Sequence, residues 1–152
     1  MDPFIPLGAV ASATQLASLT ANIGLKLYRL LGNIKYAPQN SKELCDEISE
    51  LSSVINDLVD SLNSIEENSD IIIADIVSMD SLNKYQQFLK DVSFRFSVNK
   101  TDLKKRLKWP LSLKENEELI AKIERHKSQF TLALQSASFR LGCTQRFNFN
   151  NH

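Results

Sequence analysis

Histidine and cysteine, the side chains most often used for catalysis and metal binding near neutral pH, are few and far apart in this chain of 152 residues. The histidines are His126 and His152, and the cysteines are Cys45 and Cys143. They have no metal-ligand spacing, and the sequence contains no glycine-rich phosphate-binding loop or other recognisable catalytic motif. His126 falls on an apolar helical stripe, where a partly buried, hydrogen-bonded histidine is far more common than a ligand. We therefore predict that the protein is not an enzyme and holds no metal or cofactor.

Charge and cysteine content narrow the functional classes further. Lysine and arginine number 18, as do aspartate and glutamate. Without net positive charge the electrostatic attraction that dominates non-specific nucleic-acid binding is weak, so we expect no nucleic-acid partner. Cys45 and Cys143 form no dense disulfide framework, which indicates reduced thiols in a cytoplasmic protein. Asp2 stands where a signal peptide carries Lys or Arg, so secretion is not expected.

Apolar residues recur at three- and four-residue steps in four segments, which is the periodicity of amphipathic helices. We predict a first helix over residues 6–36, a second over 41–66, a third that includes 82–96 and a fourth from Ser112 to Gly142. The second helix has the strictest stripe, formed by Leu44, Ile48, Leu51, Ile55, Leu58, Leu62 and Ile65. The pattern leaves open whether residues 71–76 extend the third helix or form a packed connection.

Four long amphipathic helices joined by short connections predict one all-α domain, an up-down helical bundle over residues 1–141. A short helix at 101–109 precedes the fourth long helix. Gly142 has the position of a C-terminal helix residue, and we expect 142–152 to form a flexible tail.

The stretch from Pro3 to Leu25 carries no charged residue, and as a helix it would be long enough to cross about 30 Å of hydrocarbon. A small residue recurs within it every four positions, which lets helices approach closely in lipid. Residues predicted to act in membrane insertion or self-association are Leu7, Gly8, Ala9, Val10, Ala13, Leu16, Ala17, Ala21 and Gly24. Polar residues such as Gln15 and Asn22 are costly in hydrocarbon unless they are paired. Two interpretations remain: a helix that enters the membrane only on oligomerisation, and an ordinary bundle helix.

A basic cluster lies just before the fourth helix. Its candidate contacts with anionic lipid headgroups are Lys104, Lys105, Arg106, Lys108 and Trp109, since cations bind headgroups and an indole lies at the membrane interface. A solvated short helix explains the same residues and is the favoured interpretation, because each cation gains only about 1 kcal/mol near an anionic surface.

Several segments resemble the N-terminal HeLo-like domains of fungal NOD-like receptors, which are STAND proteins. The similar segments are Met1–Phe4 with Leu7–Ser12, Ala37-Pro38 before a leucine-rich helix, Arg106–Leu111, and Lys127-Ser128 through Leu132–Gln135. Together they extend the resemblance over residues 1 to about 138. The start motif and the Trp-Pro segment are moderately specific together, whereas the leucine patterns fit many bundles.

The resemblance implies a bundle that executes regulated cell death in a fungal innate-immunity or heterokaryon-incompatibility system. It implies a cytoplasmic protein that becomes a homo-oligomer when active and relocates to the inner face of the plasma membrane. There its N-terminal helix, here Leu7–Leu25, would bind phospholipids and permeabilise the membrane as a pore-forming element. The implied protein partner is a receptor or a related HeLo-like protein. Residues 140–152 do not resemble the family.

The alternative from a different functional class is a non-lytic signalling adaptor, or oligomerisation bundle, that binds protein partners and keeps its first helix buried. The position of Ala9, Ala13 and Ala17 separates the two hypotheses. A stripe deep in the core with strong exchange protection favours the adaptor, and a peripheral stripe favours execution.

Overall fold

The computed structural model of the chain describes residues 8–32, 39–68, 73–97 and 113–150. These residues form helices α1 (Ala9–Gly32), α2 (Gln39–Asn68), α3 (Met79–Ser97) and α4 (Leu113–Asn150), with one turn of 3₁₀ helix at Ile73–Asp75. No strand occurs within those ranges. The predicted all-α helical bundle is confirmed. The short helix predicted at 101–109 lies outside the described residues.

The core is centred on the helix with the strictest sequence pattern. Alternating steps of four and three residues keep apolar side chains on one face of a helix, and all seven predicted stripe residues of α2 are buried. Each such leucine or isoleucine contributes about 1.5–3 kcal/mol by leaving water. The buried stripes of the other helices in the same core include Leu82, Tyr85, Leu89 and Val92 of α3 and Leu119, Ile123 and Phe130 of α4.

Contacts between side chains show that α1 and α2 run antiparallel. Gly24 lies late in α1 and Ile48 lies early in α2. A Cβ atom added at Gly24 would lie 3.5 Å from Cγ2 of Ile48, so the two residues are neighbours. Gly8, just before α1, lines the same surface groove as Glu66, near the end of α2. The end of α1 therefore lies beside the start of α2, and the start of α1 lies beside the end of α2.

Helices α2 and α4 run parallel, as an up-down order requires of helices that are two apart in the chain. The Lys127 ammonium lies 3.0 Å from a Glu47 carboxylate oxygen near the start of α2. Arg140 lies further along α4 than Lys127. Its guanidinium is 3.9 Å from the carboxylate of Asp75, which follows the end of α2. The direction from Lys127 to Arg140 in α4 therefore matches the direction from the start of α2 to the segment that follows its end.

The structure resolves the question of the isoleucine-rich segment before α3. Its described part is the 3₁₀ turn, in which Ile73 and Ile76 are partly buried against the core, so it is a packed connection. Helix α3 begins after Ser78, whose hydroxyl oxygen accepts a hydrogen bond from the Ser81 amide at 3.1 Å. A serine at this position satisfies an otherwise unpaired amide of the first turn, which explains why the helix starts here.

The predicted end of the fourth helix at Gly142 is wrong, since α4 continues to Asn150. A glycine inside a helix costs only about 1 kcal/mol relative to alanine, and no proline follows Gly142 to interrupt the backbone. Gly142 also lacks the positive φ of a left-handed cap. Residues 142–150 are therefore helical, and the flexibility of the tail remains a prediction.

Candidate functional site: the first helix and the helices that hold it

The residues predicted to insert into membrane do not form one surface. Val10, Leu16 and the alanines Ala13 and Ala17 are buried, with 2% of Ala13 and 7% of Ala17 exposed. Ala9 and Gly24 are partly buried, Gly8 and Ala21 are exposed, and Leu7 lies outside the described residues. In this conformation four of the eight described members of the predicted set belong to the core, and two are exposed.

The alanine stripe leaves the core because its repeat does not match the helix. A residue turns by about 100° around a helix axis, so a step of four residues drifts by about 40°. From Ala9 to Ala21 the drift reaches about 120°, which carries the last alanine to the solvent side. Leu16, Ile23 and Leu27 instead keep the mean helical period, and all three are buried as predicted.

The outer face of α1 is uncharged until Lys26. Ala11, Thr14, Gln15 and Ser18 are exposed on it, and together with Asn63 and Glu66 of α2 they border an open groove of about 700 Å³. None of the helices in the described ranges combines the length and hydropathy of a membrane span.

One buried polar contact joins α1 to α3. The Thr20 hydroxyl donates to the Leu16 carbonyl oxygen at 2.7 Å, which uses its only hydrogen. The Tyr85 hydroxyl, 2.6 Å away, must therefore donate to the Thr20 oxygen. Both side chains are almost completely buried, and burial raises the pKa of Tyr85 far above its ordinary value. Tyr85 thus stays neutral and keeps the proton that this contact needs.

Tyr85 also belongs to an aromatic cluster between α3 and α4. Its ring centroid lies 5.1 Å from that of His126 and 5.0 Å from that of Phe130, in both cases with tilted or edge-on planes. The Phe88 ring lies 5.0 Å from His126 and 6.2 Å from Tyr85. Such pairs each add about 0.5–1.5 kcal/mol beyond area burial, so this cluster fixes α3 against α4.

His126 is partly buried, as predicted, but the hydrogen bond expected for it is absent at one nitrogen. Its Nδ1 atom is buried and makes no hydrogen bond to the described part of the protein. Burial, reinforced by the neighbouring Arg125 guanidinium, lowers the pKa of His126. The ring is therefore neutral near pH 7 and behaves as an aromatic core residue.

An exposed apolar face on α4 was missed by the sequence analysis. Leu132 is 66% exposed and Phe139 is 73% exposed, and seven residues separate them, so they share one side of the helix. The signal was present in the sequence, because residues 128–139 carry no charge although they lie in a helix that is otherwise highly charged.

The basic cluster proposed for lipid headgroups lies entirely outside the described residues, so the positions of Lys104, Lys105, Arg106, Lys108 and Trp109 remain untested. Within the described ranges no group of three or more His, Cys, Asp or Glu side chains could hold a metal ion. No family model, curated protein or solved structure matches this chain.

Proposed function

We propose that this chain is a signalling bundle that works by binding protein partners, above all further copies of itself, while α1 remains in the core. The burial of Ala13 and Ala17 is the observation that carries this proposal. A stripe that packs within its own bundle is not available to a neighbouring copy, so this conformation supports the adaptor hypothesis over the membrane-execution hypothesis.

The outer face of α4 is the surface that we assign to self-association. Exposed apolar surface gains about 25 cal/mol for each Å² removed from water, and residues 128–139 contain no charge that would have to be desolvated. Leu132 and Phe139 supply two large side chains one above the other on that face. A second copy presents the same uncharged surface, and a symmetric pair of identical surfaces is the commonest form of oligomer.

Self-association can be tested by the concentration dependence of the sedimentation coefficient. Leu132→Glu should weaken association at least about tenfold, since it puts a charge into the middle of the apolar contact. Leu25→Glu is the matched control, because Leu25 is 54% exposed but lies on α1. Equal association of both variants and the unsubstituted protein, or a monomer at all concentrations, would refute the assignment.

Cell-death execution remains the second candidate, and the uncharged outer face of α1 is the observation that favours it. Residues 8–25 would bring no charge into a membrane if α1 left the bundle. The similarity to HeLo-like domains supports the same activity, with oligomerisation at the inner face of the plasma membrane followed by permeabilisation. This candidate requires Ala13 and Ala17 to leave the core.

A disulfide between α1 and α2 separates the two candidates. The Cβ atom of a side chain at Gly24 would lie 3.5 Å from Cγ2 of Ile48, so the Cβ atoms of the two positions come within about one bond length of the spacing of about 3.5–4.5 Å that a disulfide needs. The variant Gly24→Cys/Ile48→Cys is made with Cys45→Ala and Cys143→Ser to prevent mispairing. Its reduced form is the matched control for its oxidised form.

Dye release from vesicles with anionic lipid gives the readout. The adaptor hypothesis predicts no release from either form and the same self-association in both. The execution hypothesis predicts release from the reduced form and none from the oxidised form, because the disulfide holds α1 in place. Release that depends on reduction would therefore overturn the leading proposal and establish the second.

A further inference from the structure

We infer that His126 is an acid-sensitive contact that controls how firmly the bundle holds α1, acting through Tyr85. This regulation goes beyond both proposed functions. It concerns the conformation of the bundle itself, whatever α1 or α4 binds afterwards.

A continuous series of contacts leads from α4 to α1. The His126 ring on α4 meets the Tyr85 ring on α3 at 5.1 Å between centroids, and the Tyr85 hydroxyl donates to Thr20 on α1 at 2.6 Å. Tyr85 has no exposed surface, so it cannot move without disturbing both neighbours. A change at His126 therefore reaches the one buried side-chain hydrogen bond described between α1 and α3.

Protonation of His126 is unfavourable in the closed bundle. Both ring nitrogens of an imidazolium carry hydrogen, and here Nδ1 is buried and none of the described residues offers it an acceptor. Leaving a buried donor unsatisfied costs about 1–3 kcal/mol, and more when the group is charged. A cation against the Phe88 ring regains about 0.5–1 kcal/mol at an exposed site and about 2 kcal/mol when desolvated. The buried charged donor costs more than the upper figure for a neutral one, and the lowered pKa of His126 agrees that the net effect opposes protonation.

The charged groups around this layer do not offset that cost. Arg125 on α4 repels a proton on His126, and together with burial it lowers the pKa of His126. On α3 the titratable group that faces the ring is Tyr85, which remains neutral. Several other charges near this layer are paired with each other rather than with His126: Lys127 binds Glu47 and Glu50 of α2, Lys84 binds Asp80, and Asp91 accepts a hydrogen bond from Gln87.

The direction of the pH effect follows from the lowered pKa. A looser state in which the His126 ring meets water recovers the ordinary value near 6.5 and binds a proton more readily than the closed bundle. The stability of the closed bundle relative to the looser state is therefore greatest above about pH 6.5, and it decreases as the pH falls below that value. The loss stops once the closed state itself is protonated.

Hydrogen exchange at about pH 7.5 and pH 5.0, corrected for intrinsic rates, tests the inference with His126→Phe as the reference variant. Phenylalanine keeps an aromatic ring in the cluster but cannot titrate, while all carboxylates titrate in both proteins. If it fails to fold by circular dichroism, His126→Leu takes its place. Between about pH 7.5 and pH 5.0 we expect the exchange protection of α1 amides to fall at least about fivefold more in the unsubstituted protein than in His126→Phe. The protection of α2 amides should change equally in both proteins.

A Tyr85→Phe variant tests the connection to α1. It keeps the rings of the cluster but removes the hydroxyl that reaches Thr20. We expect α1 protection to be lower at both pH values and its extra pH response to disappear. Three results would each overturn the inference. The protection of α1 could respond equally to pH with and without His126, the unsubstituted protein could lose as much protection in α2 as in α1, or Tyr85→Phe could keep the full pH response of α1. The experiment uses neither membrane nor partner, so its failure leaves both functional proposals standing.

Discussion

Removing either hydroxyl of the Thr20–Tyr85 pair should destabilise the bundle by unequal amounts. Thr20→Val keeps the branched shape and a similar helix propensity, but it leaves the Tyr85 hydroxyl buried without an acceptor. That loss costs about 1–3 kcal/mol. Tyr85→Phe removes only the donor, because the Thr20 hydroxyl still donates to the Leu16 carbonyl, so it costs about 1 kcal/mol.

The double variant distinguishes this account from simple loss of packing. With both partners apolar, no buried hydroxyl is left unsatisfied, so the double variant should be no less stable than Thr20→Val alone. For a chain of this size each kcal/mol corresponds to about 2–4 °C in Tm. Thr20→Val should therefore lower Tm by about 2–12 °C, and Tyr85→Phe by about 2–4 °C.

Urea unfolding followed by far-UV circular dichroism measures all four proteins of the cycle on the helical signal. The m-value must stay constant across them for the free energies of unfolding to be compared. A larger cost for Tyr85→Phe than for Thr20→Val, or a double variant whose cost is the sum of both, would refute the reasoning. An additive double variant would mean that the two hydroxyls are not coupled in the folded protein.

Two further predictions concern packing and charge. Ala13→Leu should destabilise the bundle by about 1–3 kcal/mol through overpacking, while Ala21→Leu, which alters the same stripe on the exposed side, should change the free energy of unfolding by less than about 0.5 kcal/mol. Equal effects in urea titrations would mean that the stripe is not divided between core and surface. Lys127→Met should cost about 0.5–1 kcal/mol because it removes a partly buried pair across α2 and α4, whereas Lys84→Met, which breaks an exposed pair within α3, should cost nearly nothing. A Lys84 effect as large as that of Lys127 in thermal unfolding would contradict this.

The functional site was only partly predictable, because the sequence shows which residues are small or uncharged and not which direction each one faces. The alanine stripe is visible in the sequence, yet Ala13 lies in the core and Ala21 in solvent. The exposed pair Leu132 and Phe139 lies in a segment that reads as an ordinary apolar helix. Its exposure depends on which side of α4 the other helices cover.

Local interactions account for the boundaries that differ from prediction. Ser78 starts α3 through its own hydroxyl, which a search for apolar periodicity does not detect. Gly142 was expected to end α4, but a glycine ends a helix only where the backbone adopts a left-handed conformation or where competing interactions outweigh the next turn. Here the helix continues past it.

The sequence by itself determined the fold class and the core of the bundle. Apolar residues spaced by three and four positions share one face only in a helix, and that face is buried when it packs against other helices. Leu51 and Ile55 therefore had to be interior, whichever helices packed against them. Tertiary structure alone decided the pairs that hold α1. Thr20 and Tyr85 are separated by 65 positions, and His126 by 41 more, so no local pattern could bring them together. The part of α1 that precedes Lys26 carries no charge, and it is held in the core in this conformation because three helices distant in sequence meet around one tyrosine.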